Sequence, residues 1–189
     1  KLLADSPATQ IKMGTDHSVW IAGQQYIWRW QYQLNRLQKL RFRNPQEKEP
    51  VKGLTLGHEK IYIGTDKKVH RVNLYPLKVK TYEIDAKGDL ISLNSKNDLV
   101  YMTRTNGVYI IDDKIEKIIK HLPFATKTKS KSLYIPDRET LWSAQDTTLL
   151  QQFIDQGTPK KRTLISLKTP FRGIVPDGEH ILAYTPYAI

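Results

Sequence analysis

The sequence predicts an all-β, propeller-like domain of about four to five four-stranded blades, each of roughly 40 residues. Two observations predict it. Five short segments look alike: Val19–Gly23, Ile61–Thr65, Val100–Arg104, Leu141–Gln145 and Ile181–Thr185. Their second residues, Trp20, Tyr62, Tyr101, Trp142 and Leu182, lie 42, 39, 41 and 40 positions apart. Between these anchors, Gly, Asp, Asn and Lys turns cut the chain into pieces too short for helices.

Each unit divides into short strands. The first unit, about residues 9–44, carries Trp20 and then the run Tyr26–Tyr32. Its end admits two readings. Leu34, Leu37 and Leu40 have near-helical spacing, but a strand over Leu37–Phe42 matches the other units and is preferred. The second unit, about 51–86, reads as strands over Lys52–Leu56, Ile61–Thr65, Val69–Leu74 and Lys78–Ile84. The third, about 88–122, reads as Asp89–Leu93, Leu99–Arg104, Val108–Ile111 and Ile115–Ile119, with a turn over Asn94–Asp98. Asn106-Gly107 is its firmest hairpin signal, since Asn and Gly accept positive φ most readily. The fourth, about 131–168, reads as Ser132–Ile135, Leu141–Ala144, Leu149–Ile154 and Arg162–Leu167, with a loop over Asp155–Pro159. The fifth, 171–189, holds only Arg172–Val175, a turn at Pro176–Glu179 and Ile181–Tyr184. Four and a half units leave strand edges open, which proteins avoid. Closure is therefore expected from the strand-length stretch Lys1–Ala8, from sequence outside this chain or from a second copy.

Composition narrows the classes. No apolar run approaches the ~18 residues of a membrane helix, so any membrane attachment is expected through a segment outside this chain. The chain opens at Lys1 without Met or a signal peptide and reads as a processed or excised piece. There are no cysteines, which excludes disulfides and cysteine-rich zinc sites. The net charge of +11 permits attraction to nucleic acid, anionic lipid or an acidic protein face. The reading preferred is a solvated, lysine-rich surface. The densest groups, Lys67-Lys68, Lys127/Lys129/Lys131 and Lys160-Lys161-Arg162, are expected in turns.

The segment Lys60–Asn73 resembles the repeat of the two-component-regulator propellers, with Asn106–Asp112 matching its second half and Val19–Gly23 its first. Lys67-Lys68 stands where that repeat has glycine. The Trp-Asp pair of the tryptophan-aspartate repeats does not occur. The resemblance implies a bacterial extracytoplasmic, periplasmic sensor domain, tethered to a membrane helix and a signalling or DNA-binding module. It also implies self-association, with binding shifting the arrangement of two copies.

Candidate chemistry is sparse. His17, His58 and His180 fall in equivalent turns, which suits turn hydrogen bonding or a histidine ring on one face. No nucleophile elbow, phosphate loop or carboxylate pair beyond Asp112-Asp113 stands out. No catalytic residue, metal site or cofactor is expected. Tyr26, Trp28, Trp30 and Tyr32 share one side of a strand and Arg29 the other. They serve either blade packing or an aromatic platform for a partner. The turns carrying Gln25, Lys67, Lys68 and Asn106, with Arg104 beside them, should gather into a basic rim around one end of the axis. Together with Trp28, Arg29 and Trp30, they form the expected site for a small polar or anionic ligand or a protein partner. A nucleic acid is not expected. The alternative to a sensor is a protein-interaction scaffold within a larger assembly.

Overall fold

The computed structural model describes residues 8–14, 16–44, 46–127, 130–156, 158–177 and 180–186. The expected closing strand in Lys1–Ala8 and the cation Lys129 lie outside or at the edge of these residues, as do Gly178 and Glu179 of the last turn. Blade 1 contains β1 (Gln10–Met13), β2 (Val19–Ala22), β3 (Tyr26–Gln31) and β4 (Arg36–Arg41). Blade 2 contains β5 (Gly53–Gly57), β6 (Lys60–Gly64), β7 (Lys68–Leu74) and β8 (Leu77–Glu83). Blade 3 contains β9 (Leu90–Lys96), β10 (Leu99–Arg104), β11 (Gly107–Asp112) and β12 (Lys117–Leu122). Blade 4 contains β13 (Lys131–Ile135), β14 (Thr140–Gln145), β15 (Thr148–Asp155) and β16 (Thr158–Ser166). A fifth unit holds the hairpin of β17 (Gly173–Asp177) and β18 (His180–Tyr184).

Each complete blade is an antiparallel meander in chain order, and the architecture is all-β and propeller-like. The first strands, β1, β5, β9, β13 and β17, contact one another in succession and lie innermost. Burial falls outward. In blade 2, β6 is almost wholly buried while β8 is mostly exposed. The outer strands carry much of the positive charge: Arg36, Lys39 and Arg41 on β4, Lys78 and Lys80 on β8, Lys117 and Lys120 on β12, Lys160, Lys161 and Arg162 on β16. Charged edges of this kind resist pairing with other sheets.

The core lies in the seams between blades. Trp20, Ile27, Phe42, Leu54, Ile61 and Ile63 fill the first seam. Tyr62, Val69, Leu93, Val100, Met102 and Ile111 fill the second. Tyr101, Val108, Ile110, Phe124, Tyr134 and Leu141 fill the third. The alternating strand pattern sends neighbouring residues such as Ile61 and Tyr62 into different seams.

Several boundaries differ from the sequence reading. In the stretch Gln33–Arg43 the preferred strand forms, as β4 over Arg36–Arg41 and not Leu37–Phe42, preceded by one 3-10 turn at Tyr32–Leu34. β9 runs on through Asn94, Ser95 and Lys96, and the turn is Asn97-Asp98, both with positive φ (51° and 60°). That is the backbone a two-residue hairpin loop needs. β12 starts two residues later than expected and extends to Leu122. Most of the expected loop at Asp155–Pro159 belongs to strands: Asp155 of β15 pairs with Thr158 of β16, and Ile154 with Pro159. Lys160-Lys161-Arg162 accordingly sits in strand β16, not in a turn. Among the described residues, no helix is long and apolar enough to cross a membrane.

Candidate functional site

The turns after the second strands lie with the inter-blade linkers, and the cations there are largely engaged by the protein itself. Arg104 is 2% exposed. A register shift between Thr103 and Arg104 sets it opposite Leu90. Its Nε donates to the carbonyls of Lys87 and Gly88, at 2.9 Å each. Its Nη2 donates to the carbonyl of Asp66 at 2.7 Å and also to that of Gly88. Burial pulls the pKa of Arg104 down, opposed by the Asp66 carboxylate. This arginine clamps a linker rather than presenting its charge to a ligand. Lys68 pairs with Glu47 at 3.2 Å, and Lys67, largely exposed, approaches Glu49 at 3.9 Å. Thr65 Oγ1 accepts from the Lys68 amide at 3.0 Å and donates to Glu49 at 2.8 Å.

Asn106 donates through Nδ2 to the Tyr109 hydroxyl at 2.8 Å, and Tyr109 stacks on His121 with ring centroids 4.3 Å apart. Gly107, at φ 148°, brings the backbone so close that a Cβ would meet the Leu122 carbonyl at 2.3 Å. Only glycine fits there. The Gln25 carbonyl accepts from the Phe42 amide at 3.1 Å, and Arg43 grips Gln24 through its backbone and side-chain oxygens.

The aromatic stripe separates. Trp28 is 2% exposed, while Trp30 and Tyr26 are half-buried and Tyr32 leaves the strand altogether. Lys39 lies over the Tyr26 ring at 4.0 Å and the Trp28 ring at 5.9 Å. Arg29, on the opposite side, stacks over Trp20 at 5.1 Å and binds Asp16 at 2.5 Å. A hydrogen bond from Ser18 to Asp16, aided by Arg29, holds the Asp16 pKa down at about 2. The structure therefore splits the predicted residues. Arg29 stands at the mouth of the first seam, on the face opposite Lys67, Lys68, Arg104 and Asn106.

That opposite face holds the larger opening, a cleft of ≈ 940 Å³ running across blades 1 to 3. Trp20 and Arg29 border one side, His58 and Tyr75 the middle, Lys96 and Asp98 the other. Most of its charges are internally matched, Glu59 being the exception among the described residues. Besides Arg29–Asp16, Lys60 binds Asp98 at 3.0 Å and Asp113 at 2.8 Å, and Lys96 binds Asp137 at 2.5 Å. Asp113 is fully buried and also receives Arg71 at 3.0 Å, while Arg71 reaches Glu116 at 3.3 Å. Burial pulls the Lys60 pKa down, but its hydrogen bonds to the Asp113 and Asp98 carboxylates outweigh it and raise it overall. Sequence reading missed this network. Its one signal was the Asp112-Asp113 pair, with no hint that Lys60 and Arg71 of the preceding blade converge on it.

A second cavity, of ≈ 520 Å³, lies on the axis among the first strands of all five units. His17 and His58 fall at turns between first and second strands, whereas His180 is the first residue of strand β18, paired with Asp177. Among the described residues, no three His, Cys, Asp or Glu side chains are grouped to hold a metal ion.

No protein-family model matches the chain. No curated protein matches it either. Solved structures do match, at low identity. The computationally designed Ika8 protein is 10% identical with a TM-score of 0.65, over 94% of this chain and 55% of that one. A chain of the Mitotic Checkpoint Complex is 12% identical with a TM-score of 0.71, over 93% of this chain and 56% of that one. The designed Ika4 protein is 10% identical with a TM-score of 0.56, over 78% of this chain and 92% of that one. This chain thus spans little more than half the length of the first two. At these identities the likeness establishes the propeller-like fold and nothing further.

Proposed function

We propose that the protein is a non-catalytic binding module, the extracytoplasmic sensor or regulatory region of a bacterial membrane-bound regulator, which docks a ligand or protein segment through a loop face. The observation that carries the binding reading is the ≈ 940 Å³ cleft across blades 1 to 3. Loops set on a rigid scaffold are the usual place for recognition, and a cleft of this volume suits a ligand-sized occupant. Because most of its ions are already paired, the cleft favours a partner that contributes mainly apolar and uncharged polar groups, such as an extended peptide segment. The His70 imidazole, bonded to the exposed Thr81 of β8 at 2.9 Å, is itself fully buried in the first seam.

Selection of random twelve-residue peptides on the full chain tests the cleft. Selected peptides are expected to lose binding with Tyr75→Ser or His58→Ser, two substitutions at the cleft that leave the core intact. Selected peptides that bind both variants as well as the parent would refute it. The sensor context is tested by the native coding sequence on both sides of this chain. A membrane span with a signalling or DNA-binding domain supports it. Further blades without a span favour a scaffold subunit instead.

A further inference from the structure

We infer that the axial cavity is a binding site for a small, multiply charged anion bearing carboxylate or phosphate groups. The cavity is lined by the innermost strand of every unit, so it is where the repeat concentrates side chains from distant parts of the chain. Four cations reach it: Lys12 from β1, Lys52 just before β5, Lys131 from β13 and Arg172 just before β17. No Asp or Glu is among its described lining residues.

Only Lys52 of the four is compensated, by Asp66 at 2.7 Å. Among the described residues, the side chains of Lys12, Lys131 and Arg172 make no ion pair, in contrast to Lys60, Lys68, Arg71 and Lys96 on the two faces. Like charges converging on one cavity repel, and a bound anion removes that cost. The cavity also supplies hydroxyls from Ser92, Ser132 and Tyr184. Each first strand pairs on one side only, which leaves its other edge to turn peptide N–H groups toward the axis. Arg172 can hold two oxygens at once, and lysines act as point charges beside it. A volume of ≈ 520 Å³ admits a metabolite-sized anion.

This inference is independent of the loop-face cleft, and its failure would leave that reading standing. Calorimetric titration of the full chain with citrate and with pyrophosphate, at about 50 mM salt, tests it. Saturable binding of at least one probe is expected, and the tighter of the two assigns carboxylate or phosphate chemistry. Lys131→Gln and Arg172→Gln should each weaken it by roughly tenfold, the loss of one charge-assisted hydrogen bond. The control pair Lys160→Gln and Lys161→Gln removes as much charge from the exposed β16 and should change affinity by less than about twofold. Absence of saturable binding by either probe would overturn the inference. So would an equal loss in the control, which would mean attraction to net charge alone. All these positions are surface or cavity side chains, and unchanged melting temperatures without probe verify that the variants fold.

Discussion

The seam between blades 1 and 2 and the seam between blades 2 and 3 bury similar apolar clusters but treat their polar groups in opposite ways. The first seam holds an uncharged imidazole. His70 is fully buried, its Nδ1 is bonded to Thr81 at 2.9 Å, and Phe42 meets it edge-on at 5.1 Å. Its Nε2 has no hydrogen-bond partner among the described residues. The second seam is capped by ions: Asp113 sits between Lys60 and Arg71, and Glu116 and Asp98 extend the network to the surface. One repeat plan therefore tolerates both a neutral polar group and a matched set of charges. What decides is whether each buried charge finds its counter-charge.

Breaking the second seam should have the largest effect. Asp113→Ala leaves Lys60 and Arg71 facing each other without the carboxylate that both contact. Removing one member of a buried network costs about 3–5 kcal/mol. Urea unfolding should show that loss. A cost below about 1 kcal/mol would mean that water replaces the carboxylate and that the seam is held by its apolar cluster alone.

The first seam should fail by acid instead. Burial is the main cause that lowers the His70 pKa to about 4 from 6.5, with Arg43 and Lys68 pushing the same way and Glu47 and Glu49 opposing. The unfolded chain then binds more protons than the folded one between these values, so stability falls as pH drops from about 6.5 to about 4. It is flat above and below that window for this group. The ramp amounts to roughly 3 kcal/mol. His70→Gln keeps a hydrogen-bonding side chain for Thr81 and removes the titration. Denaturation curves across this range should therefore lose that slope in the variant, and an unchanged slope would assign the acid sensitivity to other groups.

The repeat was legible because it is local chemistry. Trp20, Tyr62, Tyr101 and Trp142 mark second strands, and the hairpin expected at Asn106-Gly107 forms, with Thr105-Asn106 as its loop and Gly107 opening β11 at φ 148°. What lay across seams was not legible. Asn94 and Ser95 look like turn residues, yet they are strand residues bonded to neighbouring blades: Asn94 to the Tyr134 carbonyl at 3.2 Å, Ser95 to the Leu56 carbonyl at 3.0 Å. Lys160-Lys161-Arg162 looks like a turn because an outermost strand is as polar as one. Arg104 and Lys68 were expected to present charge to a ligand, but linker carbonyls and Glu47 engage them first. The convergence of Lys12, Lys131 and Arg172 depends on aligning first strands, whose side chains carry no shared signature.

The smallest effect sharpens the comparison most, because it lies on the same network as the largest. Lys80 binds Glu116 at 2.7 Å, and Glu116 also receives Arg71. The geometry of that pair is as short as the Lys60–Asp113 contact at 2.8 Å. The solvent differs: the Lys80 side chain is 50% exposed, whereas Asp113 is fully buried. An exposed pair gains little over hydration and is screened by salt, so Lys80→Gln should cost under about 0.5 kcal/mol. A double-mutant cycle of Lys80→Gln with Glu116→Gln should give a coupling that fades at about 1 M salt. The equivalent cycle of Arg71→Gln with Asp113→Asn should keep its coupling there, since water and ions do not reach it. Equal salt sensitivity of the two cycles would mean the seam is open to solvent. Burial would then no longer explain why one end of a continuous ion network braces the fold and the other does not.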